Sequence, residues 1–256
     1  MALRDELREA AGQIAEVNAG RAAFYRMLSS LYYREVTQEK IGELLGVDWS
    51  ALFADEEMAE GSDGMVEGLR LMTGSLKRAD GRTRQELASD YAHTFLAAGT
   101  YKEHMAVPYE SVYTSEEHLL MQDARDEVYR FFCEEHLGTA KDDREPEDHL
   151  SFECEFMATM ADRMTDALRA DEWDEAARLV DVSVAFRDNH LANWIDDFCD
   201  AVAACAQTPF YRGLGQVTRA FVASDGESLT DIAASVHAMA TAWAEQRLMS
   251  PLTRSR

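Results

Sequence analysis

Breaks in helical periodicity are rare in this chain. Its 256 residues include only 4 prolines and 14 glycines, the residues that interrupt helices most strongly. Apolar residues recur instead at spacings of three and four, as in the stripe Leu191, Trp194, Ile195, Phe198, Val202 and Cys205. Strand-like alternation is limited to one short extended segment at 107–113. The pattern predicts an all-α fold, a helical bundle of about ten helices in two closely packed subdomains.

The few breaks suggest how the helices are divided. A polar connector at 138–146 is expected to separate an N-terminal subdomain, residues 1–140, from a C-terminal subdomain, residues 141–256, with a hinge near 138–149. Gly226 is expected to separate the last two helices. An exchange of C-terminal parts through the connector would give a domain-swapped dimer, and a monomer is the alternative.

The charge of the chain limits its partners. It has 25 basic and 48 acidic residues, so its formal net charge is −23 at pH 7. A nucleic-acid backbone would be repelled by such a surface, which argues against nucleic-acid binding. Residues 115–200 hold 25 acidic and 8 basic residues, a local field that favours a basic peptide as partner. Strong acidity can also serve solubility alone, and both interpretations stay open.

The cysteines and the apolar stretches indicate a cytoplasmic protein. The four cysteines form no CxxC pair and match no zinc-site spacing, as expected for buried thiols in a reducing compartment. The first residues lack the apolar core of a secretory signal. No stretch approaches the roughly 18 apolar residues of a membrane helix, so we expect no membrane insertion.

Sequence motifs of enzyme chemistry are missing. The chain contains no GxxxxGK[ST] phosphate loop, no HExxH zinc motif and no GxSxG nucleophile elbow. None of its seven histidines follows a glutamate by three residues, so the Glu-x-x-His pair of di-iron bundles is absent. We therefore expect no enzyme activity, no metal and no cofactor.

The run Glu145–Met157, EPEDHLSFECEFM, is the most informative motif. Pro146 suits the first turn of a helix, and the acidic residues that follow it would interact favourably with the helix dipole. His149 and Glu153 are spaced to share one helix face, which Phe152 continues as an apolar stripe.

This face has two competing interpretations. One is an ordinary helix start on a core face, with His149 hydrogen-bonded to a neighbour. The other is a polar anchor at the mouth of an apolar groove, where acids bind a basic residue of a partner and soft Met and Phe side chains take its apolar residues. A metal site of Asp148, His149 and Glu153 is the weakest interpretation, because no second histidine lies nearby in sequence.

The run PYESVY, Pro108–Tyr113, has the same ambiguity. It is either a loop that packs its tyrosines on the core or a segment that lines the groove beside Glu110. Ser111 could cap the turn that follows. Upstream, Asp90 and His93 lie on a helix with Tyr91 and Phe95. We expect both polar side chains to be solvated, and the alternative is that they reach the same site.

These motifs together resemble a known family. DYAHTF (Asp90–Phe95), PYESVY and EPEDHLSFECEFM occur in the order found in cytoplasmic chaperones for molybdenum-containing oxidoreductases, the TorD/DmsD type. A weaker block, HLANWIDDF, spans His190–Phe198. The family's Glu-Pro-x-Asp-His signature is fairly specific. One departure is Val107, which stands where the family often has the first of two prolines.

The resemblance implies both fold and function. Such proteins are all-helical, serve molybdoenzyme maturation in anaerobic respiration, and bind the twin-arginine signal peptide of an apo molybdopterin oxidoreductase until its cofactor is inserted. Carried over, the predicted peptide-binding residues are Tyr91, Phe95, Pro108, Tyr109, Glu110, Ser111, Tyr113, Glu145, Pro146, Asp148, His149, Phe152 and Glu153. The alternatives are a helical scaffold and a nucleotide-dependent assembly factor without signal-peptide specificity.

Overall fold

The computed structural model describes residues 2–49, 63–78, 80–96, 105–138 and 145–249. In these ranges the chain forms ten α-helices and one π-helical turn, without any β-strand. An antiparallel bridge pairs Tyr109 with His149. Among the described residues, no helix is both long enough and apolar enough to cross a membrane. The predicted all-α fold of about ten helices is confirmed.

The helices vary widely in length, and the first and the last are the longest. In chain order they are α1 (Ala2–Tyr33), α2 (Gln38–Gly46), α3 (Asp63–Lys77), α4 (Thr83–Phe95), α5 (Glu110–Thr114), α6 (Asp123–Glu134), α7 (Leu150–Arg169), α8 (Trp173–Phe186), α9 (Ile195–Cys205) and α10 (Pro209–Met249). The π-helical turn, Arg187–Leu191, lies between α8 and α9.

The chain divides into two compact units. The first unit comprises Met1–Met27, Cys154–Asp188 and Asp225–Arg256, and the second comprises Leu28–Glu153 and Asn189–Ser224. The helices α1, α7 and α10 each contribute residues to both units. The division of the chain that the sequence predicts, near residues 138–149, stays a prediction. Part of its connector, residues 139–144, lies outside the described residues.

The first unit is built around aliphatic and aromatic side chains of α1, α7, α8 and α10. Phe156 of α7 stacks on Phe186 of α8, with ring centroids 4.1 Å apart. One helical face of α10 is buried through Leu229, Ile232, Val236 and Met239. Their spacing of three and four residues is the periodicity that buries one side of a helix.

The second unit has an aromatic core. Tyr32 meets Phe95 edge to face at 5.5 Å and Phe198 at 5.4 Å between ring centroids. Tyr91 and Tyr211 lie 5.3 and 5.4 Å from Phe95 on the same scale. All five rings are buried. Such edge-on contacts favour aromatic pairs beyond the apolar area that they bury.

Gly226 does not separate two helices, contrary to the prediction from sequence. The helix α10 runs unbroken through it, from Pro209 to Met249. A Cβ atom added at Gly226 would overlap the guanidinium of Arg187. A single glycine inside a helix costs only about 1 kcal/mol relative to alanine. The glycine therefore provides room for an arginine side chain and does not end the helix.

Candidate functional site

Main-chain hydrogen bonds join the PYESVY and EPEDHL motifs. The amide of Glu110 donates to the carbonyl of Asp148 at 3.0 Å, and the amide of Leu150 donates to the carbonyl of Pro108 at 2.9 Å. These two bonds form the bridge between Tyr109 and His149. The segments that precede α5 and α7 are therefore held side by side in the second unit.

The helix at the signature begins later than the sequence predicts. Pro146 and Glu147 lie in a turn that the amide of His149 closes by donating to the carbonyl of Pro146 at 3.1 Å. The carbonyl of His149 accepts a hydrogen bond from the amide of Phe152 at 2.8 Å and the first i→i−4 helical bond from the amide of Glu153 at 3.2 Å. Pro146 is thus outside α7. His149 holds the N-cap position, because it directly precedes Leu150 and its carbonyl accepts the first bond of the helix.

The imidazole of His149 caps α7. Its Nδ1 atom accepts a hydrogen bond from the amide of Ser151 at 3.1 Å and lies 2.7 Å from the Ser151 hydroxyl. An amide nitrogen can only donate, so Nδ1 is the unprotonated nitrogen of the ring. The side chain thereby takes the role that Ser, Asp or Asn has at most helix starts.

Asp148 caps a different helix, α5. One carboxylate oxygen, Oδ2, accepts hydrogen bonds from the amide of Ser111 at 3.0 Å and from the Ser111 hydroxyl. The side chain is fully buried. Burial raises the pKa of Asp148 above its usual range, and the hydrogen bonds from Ser111 oppose that rise. The adjacent residues Asp148 and His149 thus fix the starts of two helices.

The remaining acids of the signature also have donors within the chain. Glu145 is exposed and accepts a hydrogen bond from the hydroxyl of Tyr109. Glu147 accepts one from Nε of Arg125 at 2.6 Å. Burial, followed by the bond to Glu145, raises the pKa of Tyr109, so its phenol stays protonated. Glu145 and Glu147 of the signature therefore bind side chains of neighbouring segments of the same chain.

Glu110 and Glu153 bring two further carboxyl groups into the interior of the second unit. Glu110 accepts a hydrogen bond from Nδ2 of Asn193 at 2.7 Å and lies 3.0 Å from Nδ1 of His190. Glu153 is fully buried, and neither of its oxygens accepts a hydrogen bond from a described residue. Burial raises the pKa of Glu153 far above its usual range, and the charges of Glu110 and Asp148 add to the effect. We call Glu110, Asp148 and Glu153 the carboxyl cluster.

Aromatic rings surround His149. The ring of Tyr109 meets the imidazole edge to face, with centroids 4.8 Å apart. The ring centroids of Phe152 and Tyr33 lie 5.9 and 6.4 Å from the centroid of the imidazole. The imidazole is buried. These contacts support the interpretation of His149 as a structural residue bonded to a neighbour.

The structure gathers most of the predicted site residues but not all of them. Pro108–Tyr113 and Glu145–Glu153 lie together, whereas Tyr91 and Phe95 belong to the aromatic core of the second unit, where the Tyr91 hydroxyl donates to the carbonyl of Tyr32 at 2.8 Å. Tyr113 stacks on Trp194, with centroids 5.3 Å apart. Whether these residues bind peptide stays a prediction.

Asp90 is buried, which corrects the expectation that it is solvated. Its carboxylate accepts hydrogen bonds from the backbone amides of Gln207 and Thr208, at 2.9 and 2.7 Å, just before α10 begins. Free backbone amides at a helix start attract such a carboxylate. His93 is half-buried.

His190 and Asn193 are site residues that the sequence reasoning missed. Both contact Glu110 from the block HLANWIDDF, and His190 lies in the π-helical turn. Such π-helical turns occur frequently at functional sites. The signal that could have identified them is the histidine and asparagine of this block, spaced three residues apart. No group of three His, Cys, Asp or Glu side chains in the described part of the chain could hold a metal ion.

Comparison with known proteins is consistent with these motifs. Residues 55–200 match the model of the family described as nitrate reductase delta subunit. A "Chaperone protein TorD" from Shewanella amazonensis is 29% identical over 84% of this chain and 94% of its own length. A second "Chaperone protein TorD", from Photobacterium profundum, is 28% identical over 83% of this chain and 95% of its own length.

A solved structure described as a redox enzyme maturation protein from Archaeoglobus fulgidus is also similar. It is 20% identical, covers 66% of this chain and 91% of its own, and has a TM-score of 0.36. At that score the structural likeness adds nothing to the family assignment. The match over more than half of the chain shows that this protein belongs to the nitrate reductase delta subunit family, the TorD type, whose members are chaperones of molybdoenzyme maturation and not enzymes.

Proposed function

We propose that this protein binds the twin-arginine signal peptide of an apo molybdopterin oxidoreductase in the cytoplasm and holds that enzyme back until its cofactor is inserted. The observation that carries the proposal is the union of the two family motifs. Pro108–Tyr113 and Glu145–Glu153 are joined by main-chain bonds, by the Asp148–Ser111 contact and by the Tyr109–Glu145 contact.

The charge of the chain supports a basic peptide as ligand. A twin-arginine peptide has a basic segment followed by an apolar one, and residues 115–200 carry 25 acidic against 8 basic residues. Exposed ion pairs contribute only about 0–1 kcal/mol each. Most of the affinity must therefore come from the apolar segment, at about 25 cal/mol per Å² of apolar surface buried. The acidic residues mainly speed association and select the partner.

Calorimetric titration with the leader peptide of a molybdoenzyme encoded beside this gene tests the proposal. We expect micromolar or tighter binding, and weaker binding of a control leader in which both arginines are lysines, because lysine lacks the bidentate guanidinium. Added salt should weaken binding modestly. Absence of binding to every neighbouring leader would contradict the proposal and favour a scaffold without signal-peptide specificity.

The oligomeric state belongs to the same proposal. We propose a monomer that can form a dimer by exchange of its C-terminal part. Light scattering over a wide concentration range tests this, and a single monomer peak throughout would contradict the exchange.

A further inference from the structure

An exposed apolar loop joins α5 to α6. The loop, Ser115–Gln122, presents three consecutive large apolar side chains, Leu119, Leu120 and Met121, which are 53%, 45% and 60% exposed. Scattered apolar residues are normal at a protein surface, whereas adjacent ones are a common feature of interaction sites. We call this segment the apolar loop.

Local bonds give the apolar loop a defined shape. His118 and Met121 have φ angles of 51° and 63°, a left-handed conformation that residues other than glycine seldom adopt. Nδ1 of His118 lies 2.8 Å from the carbonyl of Val112. The amide side chain of Gln122 donates to the carbonyl of Leu120 at 3.0 Å. These bonds hold the loop backbone in the conformation in which Leu119, Leu120 and Met121 are exposed.

Acidic residues flank the apolar loop on both sides. Glu116 and Glu117 lie within it, Asp123 and Asp126 follow it at the start of α6, and all four are exposed. The basic residue nearest in sequence, Arg125, donates to Glu147 at 2.6 Å and to Asp126 at 3.0 Å. The surface therefore combines apolar side chains with an excess of negative charge, since a single arginine stands beside the four acids. Such a surface is complementary to a peptide that carries arginines beside an apolar segment.

A hydrogen-bond chain links the loop to the signature. The amide of Gln122 donates to the hydroxyl of Ser111 at 3.3 Å, and that hydroxyl donates to Asp148. Gln122, at the C-terminal end of the apolar loop, is thus bonded to the Ser111 side chain, which Asp148 orients.

We propose that the apolar loop is the docking surface for the apolar segment of the twin-arginine peptide, with the flanking acids facing its arginines. Asp148 is a positioning residue, which acts on the loop through Ser111. This inference rests on the proposed function and names the surface that performs it.

The first test is peptide titration of a loop variant and a matched control. Leu119→Ser/Met121→Ser removes the two most exposed apolar side chains of the loop, and we expect it to weaken binding of the leader about tenfold or more. Leu45→Ser/Val47→Ser removes side chains of comparable exposure, 43% and 46%, from another part of the second unit. The control variant should bind like the wild type.

The positioning role of Asp148 is tested through Ser111, in a cycle of variants. Ser111→Ala removes the hydroxyl and should weaken binding, whereas Ser111→Thr retains a hydroxyl and should restore much of it. In the background of Leu119→Ser/Met121→Ser, Ser111→Ala should cause little further loss, because the two sites act through one surface. Independent losses that multiply would overturn the positioning role.

The remaining outcomes separate the inference from the proposed function. Equal binding by wild type, loop variant and control would overturn the docking surface and leave the proposed function standing. Absence of binding to the wild type would overturn both. If the loop variant changed only the oligomeric state seen by sedimentation, the loop would contact a second copy of the chain and the inference would be wrong.

Discussion

The two units bury charged groups in opposite ways. In the first unit, Arg21 and Asp225 form a buried ion pair with two hydrogen bonds, at 2.5 and 3.0 Å. The hydroxyl of Tyr25 donates to Asp225 at 2.7 Å, and Arg21 donates to Asn18 at 2.9 Å. In the second unit, the carboxyl cluster gathers groups of one sign, and Glu153 has no hydrogen-bond donor among the described residues.

This difference shows what each cluster contributes. Opposite charges with complete hydrogen bonding tolerate burial, because their attraction and their bonds offset the loss of water. Burial and the neighbouring carboxylates both disfavour the charged form of Glu153, so Glu153 retains its proton. The ion pair is therefore tolerated inside the first unit, whereas the buried carboxyl cluster lowers the stability of the second unit close to the family signature.

Removing one partner of the ion pair should have the largest effect. Asp225→Ala leaves the guanidinium of Arg21 buried and unpaired, and we expect a loss of about 3–5 kcal/mol in the free energy of unfolding. Urea denaturation followed by circular dichroism measures it.

The matched control is Asp162→Ala, which breaks an ion pair with Arg26 whose side chains are 43% and 47% exposed. Such exposed pairs contribute about 0–1 kcal/mol. Equal losses in the two variants would contradict the contrast between a buried and an exposed pair.

Neutralising Glu153 should increase the free energy of unfolding, whereas Asp225→Ala decreases it. In the unfolded chain the pKa of a glutamate is about 4.3. The folded protein keeps the Glu153 proton to a higher pH than this, because its pKa is raised. The contribution of Glu153 to the free energy of unfolding therefore falls as the pH rises above about 4.3. Glu153→Gln removes this fall, because a glutamine amide has no proton to lose over this pH range. We expect a gain of about 1–3 kcal/mol near pH 8 that vanishes near pH 4.

Denaturation curves at several pH values measure this gain. Glu155→Gln serves as the control, because Glu155 lies on the same helix and is 51% exposed. A gain that did not depend on pH would show that Glu153 does not titrate as the structure requires.

The smallest expected effect concerns the cap of α7. His149→Asn retains a side-chain acceptor at the N-cap position, whereas His149→Ala removes it, and both lose the ring. We expect the asparagine variant to be more stable by about 0.5–2 kcal/mol. Thermal unfolding of the pair checks this, and identical melting curves would mean that the bond to Ser151 contributes nothing.

Some features of the fold and of the site could be predicted from the sequence because they depend on local spacing. The stripe on α9 is buried through Phe198 and Val202, and the apolar face of α10 is buried through Val236, as their periodicity predicted. The family signature likewise stands in contiguous residues. Gly226 was wrongly predicted to separate two helices, because the glycine instead makes room for Arg187 of the π-helical turn.

The partners of the polar residues could not be predicted in this way. Asp90 was expected in solvent but caps α10, and Pro146 was expected inside a helix but precedes one. His190 reaches Glu110 from a position 80 residues away, and no local pattern encodes that contact.

By itself, the sequence determined the helices, the family and the excess of negative charge, because periodicity, contiguous motifs and composition need no knowledge of distant contacts. Only the tertiary structure decided which donors face each buried carboxylate. Those donors lie far away along the chain, 37 residues for Ser111 and Asp148 and 204 for Arg21 and Asp225. The state of a buried charge depends on the groups packed around it, and packing is settled only when the whole chain has folded.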